Sequence, residues 1–164
     1  MKKHETDKDI AETPALYRDS LMDSIHVVLT PHLEQGIGLK LFQTFNYTRV
    51  YQTGDILKSH TDRESGEISI TINLGYKSAE PWPIFLEAGG TTHEFAMEPG
   101  DALVYRGVEC PHWREEFTGD HHAQLTLHFV DQNGPYTEFK YDEAYLRSRG
   151  ELEGELGVMH AKDL

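Results

Sequence analysis

The stretch "EISITINLGY", residues 67–76, decides the fold class. Ile68, Ile70, Ile72 and Leu74 fall on one side of an extended chain and Glu67, Ser69, Thr71 and Asn73 on the other, because side chains alternate across a strand. The run therefore reads as a strand with one apolar and one polar face. A half-exposed strand with its polar side in water has this pattern. So does a β-barrel whose polar face points into a ligand cavity, and the strand alone does not choose between them.

Its neighbours have the same texture. From about residue 42 the chain becomes a series of short β-rich runs, "FQTFNYTRVY", "PWPIFLE", "THEFAM", "DALVYRG" and "HAQLTLHFV", separated by Gly, Pro and Asp. This is the signature of an all-β sandwich or barrel. Ahead of it, "TPALYRDSLMDSI" (13–25) and "TPHLEQGIGL" (30–39) each follow a Thr-Pro and carry apolar residues near helical spacing, which predicts two helices packed on the core. After it, "YTEFKYDEAYLRSRG" predicts a strand or extension and a short helix ending near Gly150. The expected organisation is one domain over 13–150 with polar tails at 1–12 and 151–164.

Bulk composition narrows the function. The chain has 164 residues, 38% of them apolar, enough for one real core. No apolar run approaches the roughly 20 residues that span a bilayer, and "MKKHETDKDIAE" lacks an apolar signal-peptide centre. A cytoplasmic protein with no membrane partner is expected. A formal net charge of −13 opposes contact with phosphate backbones, so no nucleic-acid partner is expected. The single cysteine, Cys110, excludes a disulfide framework and a multi-thiolate zinc site within one chain. A metal here must be held by nitrogen and oxygen.

Such ligands are present. In "SHTDRES" (59–65), His60 and Asp62 stand either side of one residue just after a predicted strand, and by alternation they share a face. In "EPGDALVYRGVECPHWREEF", a turn and a strand lead to His112 in a short loop. Two histidines and one carboxylate on one face of an octahedron leave three positions open, the donor set of non-heme iron(II) oxygenases. His-x-Asp is also an ordinary polar strand end in many chains.

Taken together, "RVYQTGDILKSHTD", with its Tyr-x-x-Gly-x-x-x-x-x-His-x-Asp pattern, and "MEPGDALVYRGVECPHWREEFTGDHHAQLTLHFV" resemble the iron(II)- and 2-oxoglutarate-dependent dioxygenases of the small prolyl-4-hydroxylase-like group, over about residues 40 to 131. The resemblance implies a double-stranded β-helix, or jelly roll, with N-terminal helices and a short C-terminal helix. It implies iron(II) held by His60, Asp62 and His112, with 2-oxoglutarate as cosubstrate, O2 as oxidant, and a small-molecule or peptide substrate, peptidyl proline being the commonest among the relatives. The family's cosubstrate arginine begins the last core strand about nine residues after the distal histidine, where this chain has His121.

Arg114, two residues after His112 on the same strand face, becomes the leading anchor for the far carboxylate, which a planar guanidinium grips through two hydrogen bonds. Its plain competitor is a surface pair with Glu115 or Glu116. Lys77, Arg63 and His121 are the other basic candidates, and Tyr51, Thr71 and Asn73 the hydrogen-bonding ones. His128 and His93 read as strand surface residues. The loops "TDRESGE" and "LGYKSAEPWP" are expected to flank the metal mouth. Two other readings use the same residues: a cupin-like enzyme independent of 2-oxoglutarate, and a binding module whose metal site is closed by His121 or His122.

Overall fold

The structure, a computed structural model, describes residues 13–142. In chain order the elements are β1 (Ala15–Tyr17), α1 (Ser20–Ile37), β2 (Leu41–Gln52), β3 (Leu57–His60), β4 (Ile68–Lys77), β5 (Ile84–Ala88), β6 (Thr91–Phe95), β7 (Ala102–Arg106), β8 (His112–Arg114) and β9 (His121–Asp131). Strands pair antiparallel in a five-stranded sheet, β1-β2-β9-β4-β7, and a four-stranded sheet, β3-β8-β5-β6. From β2 to β9 the chain passes back and forth between the two sheets, which makes the double-stranded β-helix.

Both faces of β4 are buried from Ile68 to Thr71, while Leu74 near its end is exposed. Ser69, Thr71 and Asn73 are fully enclosed on the side that faces the second sheet. Ile68 and Ile70 lie on the opposite side with Leu125, Leu127 and Phe129 of β9, under Met22, Ile25, Leu29 and Leu33 of α1. That stripe repeats at helical spacing, and each fully buried Leu or Ile contributes about 1.5–3 kcal/mol. The helix thus claims the apolar face of the large sheet, and the polar face is left to line the barrel.

The two predicted helices are one. Ala15–Tyr17 form the short strand β1 instead, and α1 starts only where Asp19, in extended conformation, accepts hydrogen bonds from the amides of Leu21 and Met22, a regular N-cap. It runs through Pro31 to Gly38, whose φ of 73° forms the left-handed C-cap. Pro31 is tolerated because the acceptor it cannot serve, the Val27 carbonyl, belongs to an exposed residue, where water substitutes for the lost amide. At the other end, Thr137–Asp142 is a 3-10 segment broken at Lys140 and Tyr141, and the helix expected near Gly150 lies outside the described residues. No described helix is long and apolar enough to cross a membrane.

Candidate metal centre and cavity

Strand pairing assembles the triad. β3 and β8 run antiparallel with His60 opposite His112, so the two imidazoles are cross-strand neighbours with ring centroids 4.3 Å apart. Asp62 follows β3, and its backbone amide donates to the Gly107 carbonyl at 2.8 Å, turning the carboxylate back toward the rings. Asp62 Oδ1 lies 4.0 Å from His60 Nε2 and 3.8 Å from His112 Nε2. One ligand atom from each residue falls within 4.8 Å of the others, and among the described residues no other group of histidine, cysteine and carboxylate side chains does so.

The donor set fits a divalent metal in its tautomers as well as its spacing. His60 Nδ1 is 2.8 Å from the Lys58 carbonyl and His112 Nδ1 is 3.0 Å from the Cys110 carbonyl. A carbonyl only accepts, so each Nδ1 carries the proton and each Nε2 presents a bare lone pair to Asp62's side. Such backbone partners orient metal-ligating histidines. Burial also holds the His112 pKa below the ordinary histidine range, which keeps that ring neutral, as a ligand must be. Gly107 is required for close approach: a Cβ there would overlap Asp62 Oδ2 and the Gly66 carbonyl.

The triad opens on a cavity of about 440 Å³, lined among others by Tyr47, Arg49, Tyr51, Tyr105, Gln124 and Thr126. Register explains the lining. Tyr47, Arg49 and Tyr51 of β2 lie opposite Thr126, Gln124 and His122 of β9, and this row points inward while Leu125, Leu127 and Phe129 point to the helix. Arg49, only 4% exposed, was not singled out from the sequence, although its two-residue spacing from Tyr51 puts it on the same face.

Arg114 is not a surface residue paired with Glu115 or Glu116. It is 1% exposed, lies 4.8 Å over the Trp82 ring, and donates to the Trp82 carbonyl and, at 2.8 Å, to Gln124 Oε1. Gln124 in turn faces the cavity. Among the described residues Arg114 Nε has no partner, and no carboxylate is within ion-pair distance of the guanidinium. Burial lowers its pKa to about 10, the mark of a cation taken out of water without an anion.

The other candidates divide by position. Tyr51 is buried, lines the cavity and meets Trp82 edge-on at 5.0 Å. Thr71 is fully enclosed, its hydroxyl without a partner among the described residues. Asn73 is enclosed as well, but its amide bonds the Met97 carbonyl and the Gly75 amide, so it pins the turn between β6 and β7 rather than facing a ligand. Arg63 reaches the cavity wall, where it grips Asp142 through two nitrogens at 2.9 and 3.1 Å and lies 4.1 Å over Phe45. Lys77 is exposed and paired with Asp120 at 2.7 Å. His121 is exposed beside the same Asp120.

The inward residue at the start of β9 is His122, one position on. It is 1% exposed, with neither ring nitrogen partnered among the described residues, and burial drives its pKa to about 3. It packs against Trp82, not beside the triad. Neither His121 nor His122 closes the metal site. His128 also faces inward, 6% exposed, where the sequence suggested a surface position. The loop around Trp82 borders a separate groove with Phe117 and Gly119; only the loop after His60 flanks the triad.

No family model and no curated protein sequence matches the chain. Solved structures do. An oxidoreductase of the 2OG-Fe(II) oxygenase family from Burkholderia pseudomallei superposes with a TM-score of 0.59 at 16% identity, over 68% of this chain and 58% of that one, so the chain spans less than two thirds of that protein's length. A prolyl-4-hydroxylase from Pseudomonas putida gives 0.55 at 18% identity, over 80% and 78%. A viral collagen prolyl hydroxylase from Paramecium Bursaria Chlorella virus-1 gives 0.56 at 8%, over 72% and 78%. The protein therefore has the double-stranded β-helix fold of the 2OG-Fe(II) oxygenases and prolyl-4-hydroxylases, with a His-Asp-His triad among its strands.

Proposed function

We propose that the protein is an iron(II)- and 2-oxoglutarate-dependent dioxygenase that hydroxylates a C–H bond of a small molecule or peptide. The observation that carries this reading is the pairing of a three-donor triad, whose histidines both present bare Nε2 atoms, with a buried guanidinium that has no described carboxylate beside it. His60, Asp62 and His112 would hold the iron. Bound there, iron(II) with 2-oxoglutarate and O2 supplies the oxidising power for hydroxylation, with succinate and CO2 released.

The residues of this chain do the placing. Arg114 offers charge to the far carboxylate of the cosubstrate from behind Gln124, and Tyr51 and Thr71 offer hydroxyls. Arg49 is a second guanidinium on the same wall. Asn73, Lys77 and His121 have other partners and take no part in this scheme; Arg63 closes the cavity edge with Asp142. The barrel strands bury Arg114, Tyr51 and Thr71, and the low water content around them strengthens these charge contacts. Two of the structural neighbours are prolyl hydroxylases by name, so proline-containing peptides are the first substrates to assay.

The test is formation of succinate from 2-oxoglutarate in air. Wild-type protein loaded with iron(II) should produce it and His112→Ala should not. Bound iron without succinate, in the presence or absence of peptides, would refute the proposal.

A further inference from the structure

Asp62 is held by only one of its oxygens. Oδ1 faces the two Nε2 atoms, while Oδ2 sits 2.6 Å from Ser69 Oγ. Ser69 and His128 are opposite each other in the β4–β9 register, and His128 Nδ1 lies 2.9 Å from the same hydroxyl. The Gly66 carbonyl is 3.3 Å away. A serine hydroxyl has one proton. The carboxylate takes it at the shortest distance, so His128 must be the donor to Ser69, and the direction of the chain is fixed: His128 to Ser69 to Asp62.

The surroundings lock this chain. Ser69 is fully enclosed and His128 nearly so, which keeps water from competing. The His128 ring is stacked on Phe45, centroids 4.1 Å apart and planes 19° from parallel. A Cβ on Gly66 would stand 2.9 Å from Asp62 Cβ and 3.0 Å from His128 Nδ1, so hydrogen is all that fits between them. We propose that Ser69 and His128 are positioning residues that hold Asp62 to a single metal-facing oxygen. A carboxylate free to give both oxygens would take a fourth of the roughly six positions of an octahedral metal and crowd the side on which ligands enter. The inference rests on the triad as a metal site.

Cobalt(II) titration of the full-length, metal-free protein tests it, read by visible d–d absorption. Ser69→Ala should weaken cobalt binding by about 10–100-fold, the usual effect of losing such a supporting hydrogen bond, and should alter the intensity and position of the band. His128→Phe, which keeps a ring on Phe45, should shift the band the same way with a smaller loss of affinity, and it tests the link by itself if Ser69→Ala does not fold. Because His128 acts through Ser69, the double variant should bind no more weakly than Ser69→Ala alone. A role confined to packing would lower the melting temperature of the metal-free protein and leave the band unmoved. Unchanged spectra with affinity within about twofold, or additive losses in the double variant, would overturn the proposal while leaving the triad intact; a wild-type protein that takes up no cobalt would remove the metal site itself and this inference with it.

Discussion

Replacing Arg114 by Met removes a buried charge whose environment sets the size of the effect. Burial lowers the guanidinium pKa from the ordinary arginine range to about 10, which corresponds to about 3 kcal/mol of unfavourable desolvation. An anion bound beside the guanidinium can recover an amount of that order, so its loss should weaken 2-oxoglutarate binding by about 100-fold. The metal should be held as before, because Arg114 lies behind Gln124 and is not among the ligands. Stability of the free protein should change little: Trp82 and Gln124 lose a donor, costing about 1–3 kcal/mol, while the removal of an unpaired buried charge offsets a similar amount. The assay is anaerobic calorimetric titration of the iron(II)-loaded protein with 2-oxoglutarate and with 2-oxobutyrate, which lacks the far carboxylate. Arg114→Met should weaken the first selectively. Equal loss for both acids, or none for either, would refute the reasoning and move the charge to Arg49.

Three further outcomes follow from the geometry. His112→Ala removes a ligand at the one strand pair that joins the triad, so stoichiometric iron or cobalt binding should be lost; a variant retaining full metal content would contradict the assignment. Gly107→Ala puts a methyl group into Asp62 and the Gly66 backbone, which should abolish metal binding even if the protein folds, and a normal metal titration would show the carboxylate is not held there. The third concerns pH. His26, 2% exposed and against Phe129, has its pKa lowered by burial from 6.5 to about 4, so between those values the unfolded chain binds more protons than the folded one. Stability is therefore full above about pH 6.5 and declines as pH falls toward about 4, by about 2 kcal/mol for this residue at about pH 5. Urea unfolding of His26→Phe at both ends of that window should show a shallower pH dependence than wild type, and an identical slope would refute it.

How much of this was legible in the sequence depended on whether a strand's two faces differed. In β4 the isoleucines alternate cleanly with Ser69, Thr71 and Asn73, and the fold uses both sides as read; which side faced in was settled by α1 covering the isoleucines. The triad was legible because its members lie at strand ends in a fixed order. The inner lining of the cavity was not, since a one-residue offset exchanges the faces of a strand: counting from His112 selects the exposed His121, whereas alternation with Leu125, Leu127 and Phe129 selects His122, Gln124, Thr126 and His128. The same alternation would have moved His128 from the surface to the cavity. Arg114 was picked out by its alternation with His112, but the local run "HWREEF" left a surface pair equally open, since the groups that enclose it, Trp82 and Gln124, are distant in sequence. Pro31 misled because a proline at a helix start and one tolerated within a helix have the same local sequence, and the difference is the solvent beside Val27.

The central claim is that His60, Asp62 and His112 hold an iron that 2-oxoglutarate chelates. Anaerobic titration of the iron(II)-loaded protein with 2-oxoglutarate, monitored for the weak visible charge-transfer band of a chelated keto acid, addresses it without needing the substrate. The account predicts a saturable band in the wild-type protein and none in His60→Ala. A protein that binds iron through these residues yet gives no band with 2-oxoglutarate would contradict it.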